Sequence, residues 1–207
     1  RILIILEGES RLLGDLNGDK FTITKLGPGS FVGLGSILSS HPSEEVTAST
    51  QLKALAIPDT VFDDLYKKNQ LFKDWCDQNV LPSYLATLTK ILIEKSPRVD
   101  IDFRKAFSTL LKFSKLKTIQ KNQAITVDKN ECLIVLSSNI ENKKIGDHIQ
   151  NEESVNWIDG FPPKIISIPV QLQKEFNLIN QPDILETKSN EIELIPDGIQ
   201  EEIVKSL

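Results

Sequence analysis

The sequence predicts a mainly β fold with flanking helices, built from two successive units. Short runs rich in β-branched residues, bounded by glycine, asparagine and aspartate, predict strands in both halves of the chain. At Pro58 the hydrophobic period changes from two to that of a helix, and the following Asp59 and Thr60 are a helix-start signal. From residue 116 the strand pattern returns and repeats the order of the first half.

The first half is predicted to contain four strands followed by helices. The strands cover residues 2–6, 21–26, 46–50 and 52–57, and the turn-rich segment GDLNGDK at 14–20 joins the first two. From Pro58 to about Lys95 the chain is predicted to be mostly helical, because its large apolar residues recur at helical spacing. Ser96-Pro97 ends this region, and residues 103–113 are predicted to form one more amphipathic helix.

The second half repeats the first. Strands are predicted at 116–119, 123–127, 131–136 and 164–169, followed by a helix at 170–176. LIILEG at 3–8 matches LIVLSS at 133–138, and KALAIPDTVFDDL at 53–65 matches KIISIPVQLQKEF at 164–176. This self-similarity predicts an internal duplication with a shortened second copy. The predicted divisions are a first domain at 1–97, a second domain at 98–178 and an acidic linker or tail at 179–207.

Composition narrows the class of protein. The 207 residues are 40% hydrophobic and 26% charged, which supplies enough apolar side chain for a core. A net charge of −5 with scattered basic residues argues against a nucleic-acid partner. No apolar run reaches the ~18 residues of a membrane span, and the two cysteines lie far apart, so we expect a cytoplasmic chain with reduced thiols. Because the chain contains no methionine, we expect it to be a fragment of a longer protein.

The sequence contains no recognisable catalytic constellation. The two histidines, His41 and His148, lie in polar, loop-like surroundings and are expected to be surface residues. The acidic pairs at 44–45 and 63–64 lack the spacing of a metal site. The glycine-rich stretch GPGSFVGLGS at 27–36 lacks the GK[ST] of a Walker loop and the GxGxxG order of a dinucleotide fold. We therefore expect no enzyme activity, no cofactor and no metal in this part of the protein.

The features around the glycine-rich stretch follow a definite order. A strand ending in ILEGES is followed by a hairpin, a strand leading into LGPGSFVG, a short turn, SEEVTAST, KALAIP and a helix. This order resembles the cyclic-nucleotide-binding domain family, a β-roll (jelly roll) flanked by helices. The family's phosphate-binding cassette follows the pattern P-G-x-x-F-G-E-x-x-L, a variable loop and P-R-x-A-x-V-x-A. The resemblance covers residues 2 to about 95, and residues 104–177 as a weaker, shortened copy without the cassette.

Carried over residue by residue, the resemblance assigns vestigial cassette positions to the first copy. Leu34 stands where the family has the glutamate that binds the ribose hydroxyl. Counting back from the V-x-A strand places Pro42 at the family's phosphate-binding arginine, and no arginine occurs between Arg11 and Arg98. Pro28 and Gly29 take the family's turn and Val32 its phenylalanine. The assigned cassette positions are Gly33, Leu34, Gly35, Ser36, Pro42, Ser43, Val46 and Ala48.

These departures predict that the first copy does not bind cyclic nucleotides. Losing the guanidinium partner of a buried phosphate costs about 2–5 kcal/mol, which is about a hundredfold or more in affinity. Glu44 and Glu45 are expected to add like-charge repulsion beside the site. The leading interpretation is a non-catalytic regulatory or interaction module of two degenerate cyclic-nucleotide-binding-like domains.

The tandem, degenerate arrangement is similar to the N-terminal region of bacterial ABC-type exporters of the bacteriocin or haemolysin class. This resemblance implies that the partners are other domains of the same polypeptide or a membrane transporter, at the cytosolic face of the membrane. The resemblance to cyclic-nucleotide-binding domains also allows a homodimer formed through helices. Two alternatives stay open. One is a working sensor for a cyclic nucleotide or another small anion, bound through the amides of residues 33–37. The other is a transcription regulator of the same family, although the tail after residue 178 is acidic.

Overall fold

The computed structural model describes residues 1–172 apart from Asn17, residues 97–99, Thr118, Gln120, Gln123 and Asp159. The first half forms β1 (Ile2–Glu7), β2 (Ser10–Leu16), β3 (Asp19–Leu26), β4 (Phe31–Val32), α1 (Leu34–Leu38), β5 (Glu45–Ala48) and β6 (Lys53–Ile57). Four helices follow: α2 (Asp59–Lys68), α3 (Gln70–Gln78), α4 (Pro82–Lys95) and α5 (Phe103–Phe113). The second half forms β7 (Lys115–Lys117), β8 (Ala124–Ile125), β9 (Glu131–Val135), β10 (His148–Ile149), β11 (Glu153–Ser154) and β12 (Ile165–Pro169).

These elements confirm the predicted fold class, a β-rich fold with helices. Most of the predicted helix at 170–176, and all of the predicted tail at 179–207, lie outside the described residues.

Strand β2 extends into a segment that the sequence predicts to be turn-rich. The prediction for residues 14–20 is wrong at both ends, because β2 continues to Leu16, β3 begins at Asp19, and the two strands pair in a hairpin. Gly14 allows this pairing, since a Cβ there would lie 2.8 Å from the ring of Phe21 on β3. The side chain of Asp15 accepts a hydrogen bond from the Gly18 N–H at 3.1 Å, which helps to close the hairpin.

The predicted helical region from Pro58 to Lys95 consists of three helices rather than one. Asn69 begins α3, because its side chain accepts a hydrogen bond from the Phe72 N–H at 3.0 Å. Pro82 stands in the first turn of α4, where the missing N–H costs nothing. α5 covers the predicted helix at 103–113, and the Asp102 side chain caps it by accepting from the Lys105 N–H at 2.8 Å.

The described residues form four antiparallel sheets, and two of them, one from each half, pair their strands in the same way. The first has the order β4-β1-β6 and the second the order β10-β9-β12-β7. The residues that the sequence comparison aligns occupy corresponding places in the two registers. Ile2 pairs with Ile57 as Cys132 pairs with Ile168, Ile4 pairs with Leu55 as Ile134 pairs with Ile166, and Leu3 pairs with Val32 as Leu133 pairs with Ile149.

The outer edges of these two sheets differ. In the second sheet β7 pairs with β12 on the side away from β9, and Leu116 lies opposite Ile166. Within the described residues, no strand pairs with the corresponding side of β6 in the first sheet. Leu55 on β6 is consequently 52% exposed, whereas its counterpart Ile166 is fully buried.

A single hydrophobic core joins the two halves. It contains Ile2 of the first sheet, Phe62 of α2, Leu88 of α4, and Ile134 and Ile166 of the second sheet, all at most 1% exposed. A smaller cluster, which includes Leu133, Val135 and Ile165, lies within the second half. The helices therefore pack between the two sheets and belong to both halves at once.

A buried ionic network crosses the same interface. The carboxylate of Asp77 on α3 accepts hydrogen bonds from the Lys164 Nζ at 2.6 Å and from the Tyr66 hydroxyl at 2.6 Å. Lys73 donates to the other carboxylate oxygen at 2.8 Å. Asp77 and Lys164 are 8% and 4% exposed, so this ion pair ties α3 to the segment that precedes β12.

Candidate functional site

The glycine-rich stretch forms a tight turn and then the short helix α1. The Gly29 N–H donates to the Ile5 carbonyl at 2.8 Å, and the Ser30 N–H donates to the Gly27 carbonyl at 3.0 Å. Gly33, which immediately precedes α1, has a φ of +87°, in the left-handed region that favours glycine. A Cβ at this position would lie 2.9 Å from the Arg1 carbonyl oxygen, so the backbone approaches too closely for a larger residue.

The carboxylate of Glu44 occupies the amides at the start of α1. The Gly33 N–H donates to Oε2 at 2.5 Å, and the Gly35 N–H donates to Oε1 at 2.7 Å. The hydroxyl of Ser83 on α4 donates to Oε1 at 3.2 Å. A negative group is favoured here because N–H donors point at it. Glu44, whose charge is expected to repel an anion beside the site, thus also takes two of the amide donors itself.

The other assigned cassette positions surround this contact. Leu34 is 1% exposed and packs in the shared core. The Ser36 hydroxyl accepts a hydrogen bond from the Ser43 N–H at 3.1 Å and holds the loop that follows α1. Pro42 is exposed in that loop. Val46 and Ala48 lie on β5, paired with Leu12 and Ser10 of β2.

The roles of Glu44 and Ser83 have no signal in the sequence. Glu44 lies 9 positions beyond Gly35, and Ser83 lies 39 positions beyond Glu44. No motif links residues at these separations, and the contact depends on how the loop after α1 folds back. The general affinity of carboxylates for helix starts is the single principle from which the contact could have been anticipated.

Replacing Gly33 with alanine is expected to destabilise the protein by about 1–2 kcal/mol, because a β-carbon is strained at positive φ. The contact with the Arg1 carbonyl oxygen, at 2.9 Å, adds to this cost. Urea unfolding followed by circular dichroism measures the change. Gly27→Ala is the matched control, because a Cβ there would meet open space and the backbone has ordinary φ. Equal stabilities for the two variants would contradict the assignment of strain to Gly33.

The side chain of Glu44 lines two cavities. One, of about 380 Å³, lies between β2, the loop after α1 and α4. Its lining includes Gly14, His41, Pro42, Glu44, Lys90 and Phe103. The other, of about 290 Å³, lies between β2, β4, α1 and the start of α4 and is mostly apolar. Glu44 therefore supplies a carboxylate to the wall of both spaces.

Cys132 and His148 form a second close pair, in the second unit. The Cys132 Sγ lies 3.0 Å from the His148 Nδ1, beside a cavity of about 330 Å³ that both residues line. The expectation of a surface histidine is wrong for His148, which lies on β10 and is half-buried. Burial raises the pKa of the Cys132 thiol to about 12. Because the thiolate is the nucleophilic form, burial works against nucleophilic activation of this thiol.

His148 is expected to make the stability of the protein pH-dependent. Burial and the nearby Lys95 lower the pKa of His148 below its ordinary 6.5. The unfolded chain therefore binds the proton first, and stability is lost as the pH falls below about 6.5. In His148→Gln, urea midpoints at neutral and mildly acidic pH should lie closer together than in the unmodified chain. An unchanged difference between the midpoints would contradict this assignment.

One family model and several solved structures are similar to parts of this chain. Residues 1–69 match the family model of the cyclic nucleotide-binding domain, which supports the resemblance inferred from the cassette.

Within the described residues, no helix is long and apolar enough to cross a membrane, and no three histidine, cysteine, aspartate or glutamate side chains gather as metal ligands. No curated protein matches the chain.

Several solved structures are similar over most of the chain. The regulatory domain of Toxoplasma gondii PKA with cAMP is 13% identical, with a TM-score of 0.33, over 85% of this chain and 73% of that one. The regulatory subunit of a cAMP-independent protein kinase A from Trypanosoma cruzi, bound to guanosine, is 12% identical, with a TM-score of 0.28, over 85% of this chain and 66% of that one. The cAMP-bound EAL enzyme Bd1971 is 13% identical, with a TM-score of 0.33, and the chain spans 36% of its length.

Proposed function

We propose that this chain is a non-catalytic regulatory module of two degenerate cyclic-nucleotide-binding-like units, the first of which does not bind cyclic nucleotides. The observation that carries this proposal is the Glu44 carboxylate on the N–H groups of Gly33 and Gly35. The family match over residues 1–69 supports the regulatory class. The corresponding strand registers of the two main sheets support the duplication.

A cyclic phosphate would have to displace Glu44 from these donors. That displacement breaks the hydrogen bonds from Gly33, Gly35 and Ser83, each worth about 1.5–3 kcal/mol when the acceptor is charged. The displaced carboxylate would then repel the incoming anion. The sequence has no arginine between Arg11 and Arg98 whose positive charge could offset this repulsion. A phosphate would regain the two amide donors but would have no guanidinium partner, and that loss alone costs about 2–5 kcal/mol, a factor of about thirty or more in affinity.

The helices between the two units are the proposed route by which the module acts. They share one core with both sheets, so a displacement of either sheet changes the packing of the helices. The proposed partners are other domains of the same polypeptide or a membrane transporter. The proposed context is the cytosolic part of a bacterial ABC-type exporter of the bacteriocin class. A full-length gene without membrane spans downstream of this region would contradict that context.

Isothermal titration calorimetry with cAMP, cGMP and a cyclic dinucleotide tests the loss of anion binding. We expect no measurable heat of binding at micromolar concentrations for the unmodified chain. Glu44→Ala frees the two amides, so any residual anion affinity should rise in this variant. Glu45→Ala should change it much less, because the exposed carboxylate of Glu45 pairs with Lys20 and holds neither amide. Micromolar binding of a cyclic nucleotide by the unmodified chain would overturn the proposal in favour of a working sensor.

A further inference from the structure

We propose that the apolar cavity of the first unit is a binding site for a small organic cation, an aromatic or aliphatic body that carries one ammonium group. This inference rests on the proposed loss of anion binding at Glu44. It goes further by assigning the cavity a ligand of opposite charge.

The walls of this cavity are apolar and partly aromatic. Its volume of about 290 Å³ lies at the lower end of the range for ligand pockets, about 300–1,000 Å³. The apolar side chains that line it come from β2, β3, β4, α1, α3 and the start of α4. They are Leu12, Leu26, Phe31, Leu34, Trp75 and Leu81. A space of this size and lining fits one ring or a short branched chain.

Glu44 is the one ionisable side chain among the described residues that line the cavity. Its two oxygens together offer about four acceptor positions, and Gly33, Gly35 and Ser83 donate to three of them. The described donors therefore leave acceptor capacity on a carboxylate that is held in place. An ammonium group brings the donor and the charge that this position lacks, whereas a phosphate or carboxylate would meet a like charge.

Trp75 supplies the second element of cation recognition. Its side chain is 39% exposed, although large aromatic residues are usually well buried. Its ring lies 5.6 Å from the ring of Phe31 and stacks on Phe72, so contacts on α3 and β4 fix its orientation. An indole face attracts a cation by about 0.5–2 kcal/mol, depending on how far water is excluded. Carboxylate, indole and apolar walls in one cavity together define the proposed ligand class.

Matched probes that differ in one group test this assignment. Phenethylamine, phenethyl alcohol and hydrocinnamate share a phenyl ring and a two-carbon arm but end in a cationic, a neutral and an anionic group. Trp157→Phe removes the other tryptophan, so the remaining tryptophan fluorescence reports Trp75 alone. We expect phenethylamine to change this fluorescence saturably and to bind about tenfold or more tightly than hydrocinnamate. In Glu44→Gln the preference should disappear.

The outcomes separate this inference from the proposed function. Equal or tighter binding of hydrocinnamate, or no saturable change with any probe, would overturn the cation site and leave the loss of cyclic-nucleotide binding untouched. Binding of cAMP by the same sample would instead overturn the proposed function. If Glu44→Gln does not fold by circular dichroism, the order of the three probes on the Trp157→Phe chain decides alone. Glu45→Gln, on the neighbouring carboxylate that does not line this cavity, should retain the preference for the amine.

Discussion

Replacing Asp77 with alanine is expected to lower the free energy of unfolding by about 3–5 kcal/mol, because it leaves a buried charge without its partner. Lys164 is 4% exposed and its Nζ lies 2.6 Å from the carboxylate of Asp77. The substitution also removes the acceptor for the hydroxyl of Tyr66, which is 4% exposed. Urea unfolding at neutral pH measures the loss.

A pH series sharpens the test of the Asp77 network. Burial alone would raise the pKa of Asp77, but hydrogen bonds from Lys164, Lys73 and Tyr66 outweigh it and lower the pKa below the ordinary 3.8. The stabilisation is therefore complete above about pH 4 and is lost as the pH falls through the lower pKa of the folded state. The difference between the unmodified chain and Asp77→Ala should shrink on acidification.

Asp64→Ala is the matched control, because Asp64 pairs with Lys68 at the exposed surface of α2. Exposed pairs of this kind contribute little, so the control should unfold almost as the unmodified chain does. A loss below about 1 kcal/mol for Asp77→Ala would contradict the network, since it would mean that Lys164 is compensated without Asp77.

Phe62→Ala is expected to cost about 3–5 kcal/mol, because it opens a cavity in the core that both halves share. Phe62 is 1% exposed and lies against Phe72 of α3 and Phe161 of the second half, with ring centroids 5.6 Å and 5.5 Å away. Since the ring touches residues from both halves, the variant should unfold in one transition at lower urea concentration, with both tryptophans reporting the same midpoint.

Leu65→Ala provides the control for this substitution. Leu65 is on the same helix but 38% exposed, so its truncation leaves little empty space and should cost much less. Two separate transitions in Phe62→Ala, one for each half, would contradict the shared core.

Much of the fold follows from local patterns in the sequence. The strand at 2–6 and the helix at 103–113 are found as β1 and α5, because β-branched runs and helical spacing act over a few neighbouring residues. The short strands β10 and β11 are absent from the prediction. Each has two residues and exists through pairing with a distant strand, as His148 pairs with Ile134. Such pairings leave no periodic signal.

The site is less accessible to sequence reasoning than the fold. The turn at Gly29 and Gly33 is visible because glycine clusters mark positive φ. The helix α1, five residues long, is not visible, because part of its support is the carboxylate of Glu44 from the following loop. The missing arginine predicts that anion binding is lost. In the structure the carboxylate of Glu44 accepts from the Gly33 and Gly35 N–H groups, a contact that the sequence did not predict.

The common core of the two halves has a thermodynamic consequence for any molecule that either half binds. A ligand that binds only the folded chain stabilises it by mass action, by about 2.7 kcal/mol at a concentration a hundred times its dissociation constant. Since the shared core predicts that the halves unfold together, that free energy is expected to protect residues of the second half, such as Trp157, from opening. Hydrogen exchange in one half thereby becomes a measure of occupancy in the other, even where no atom changes position.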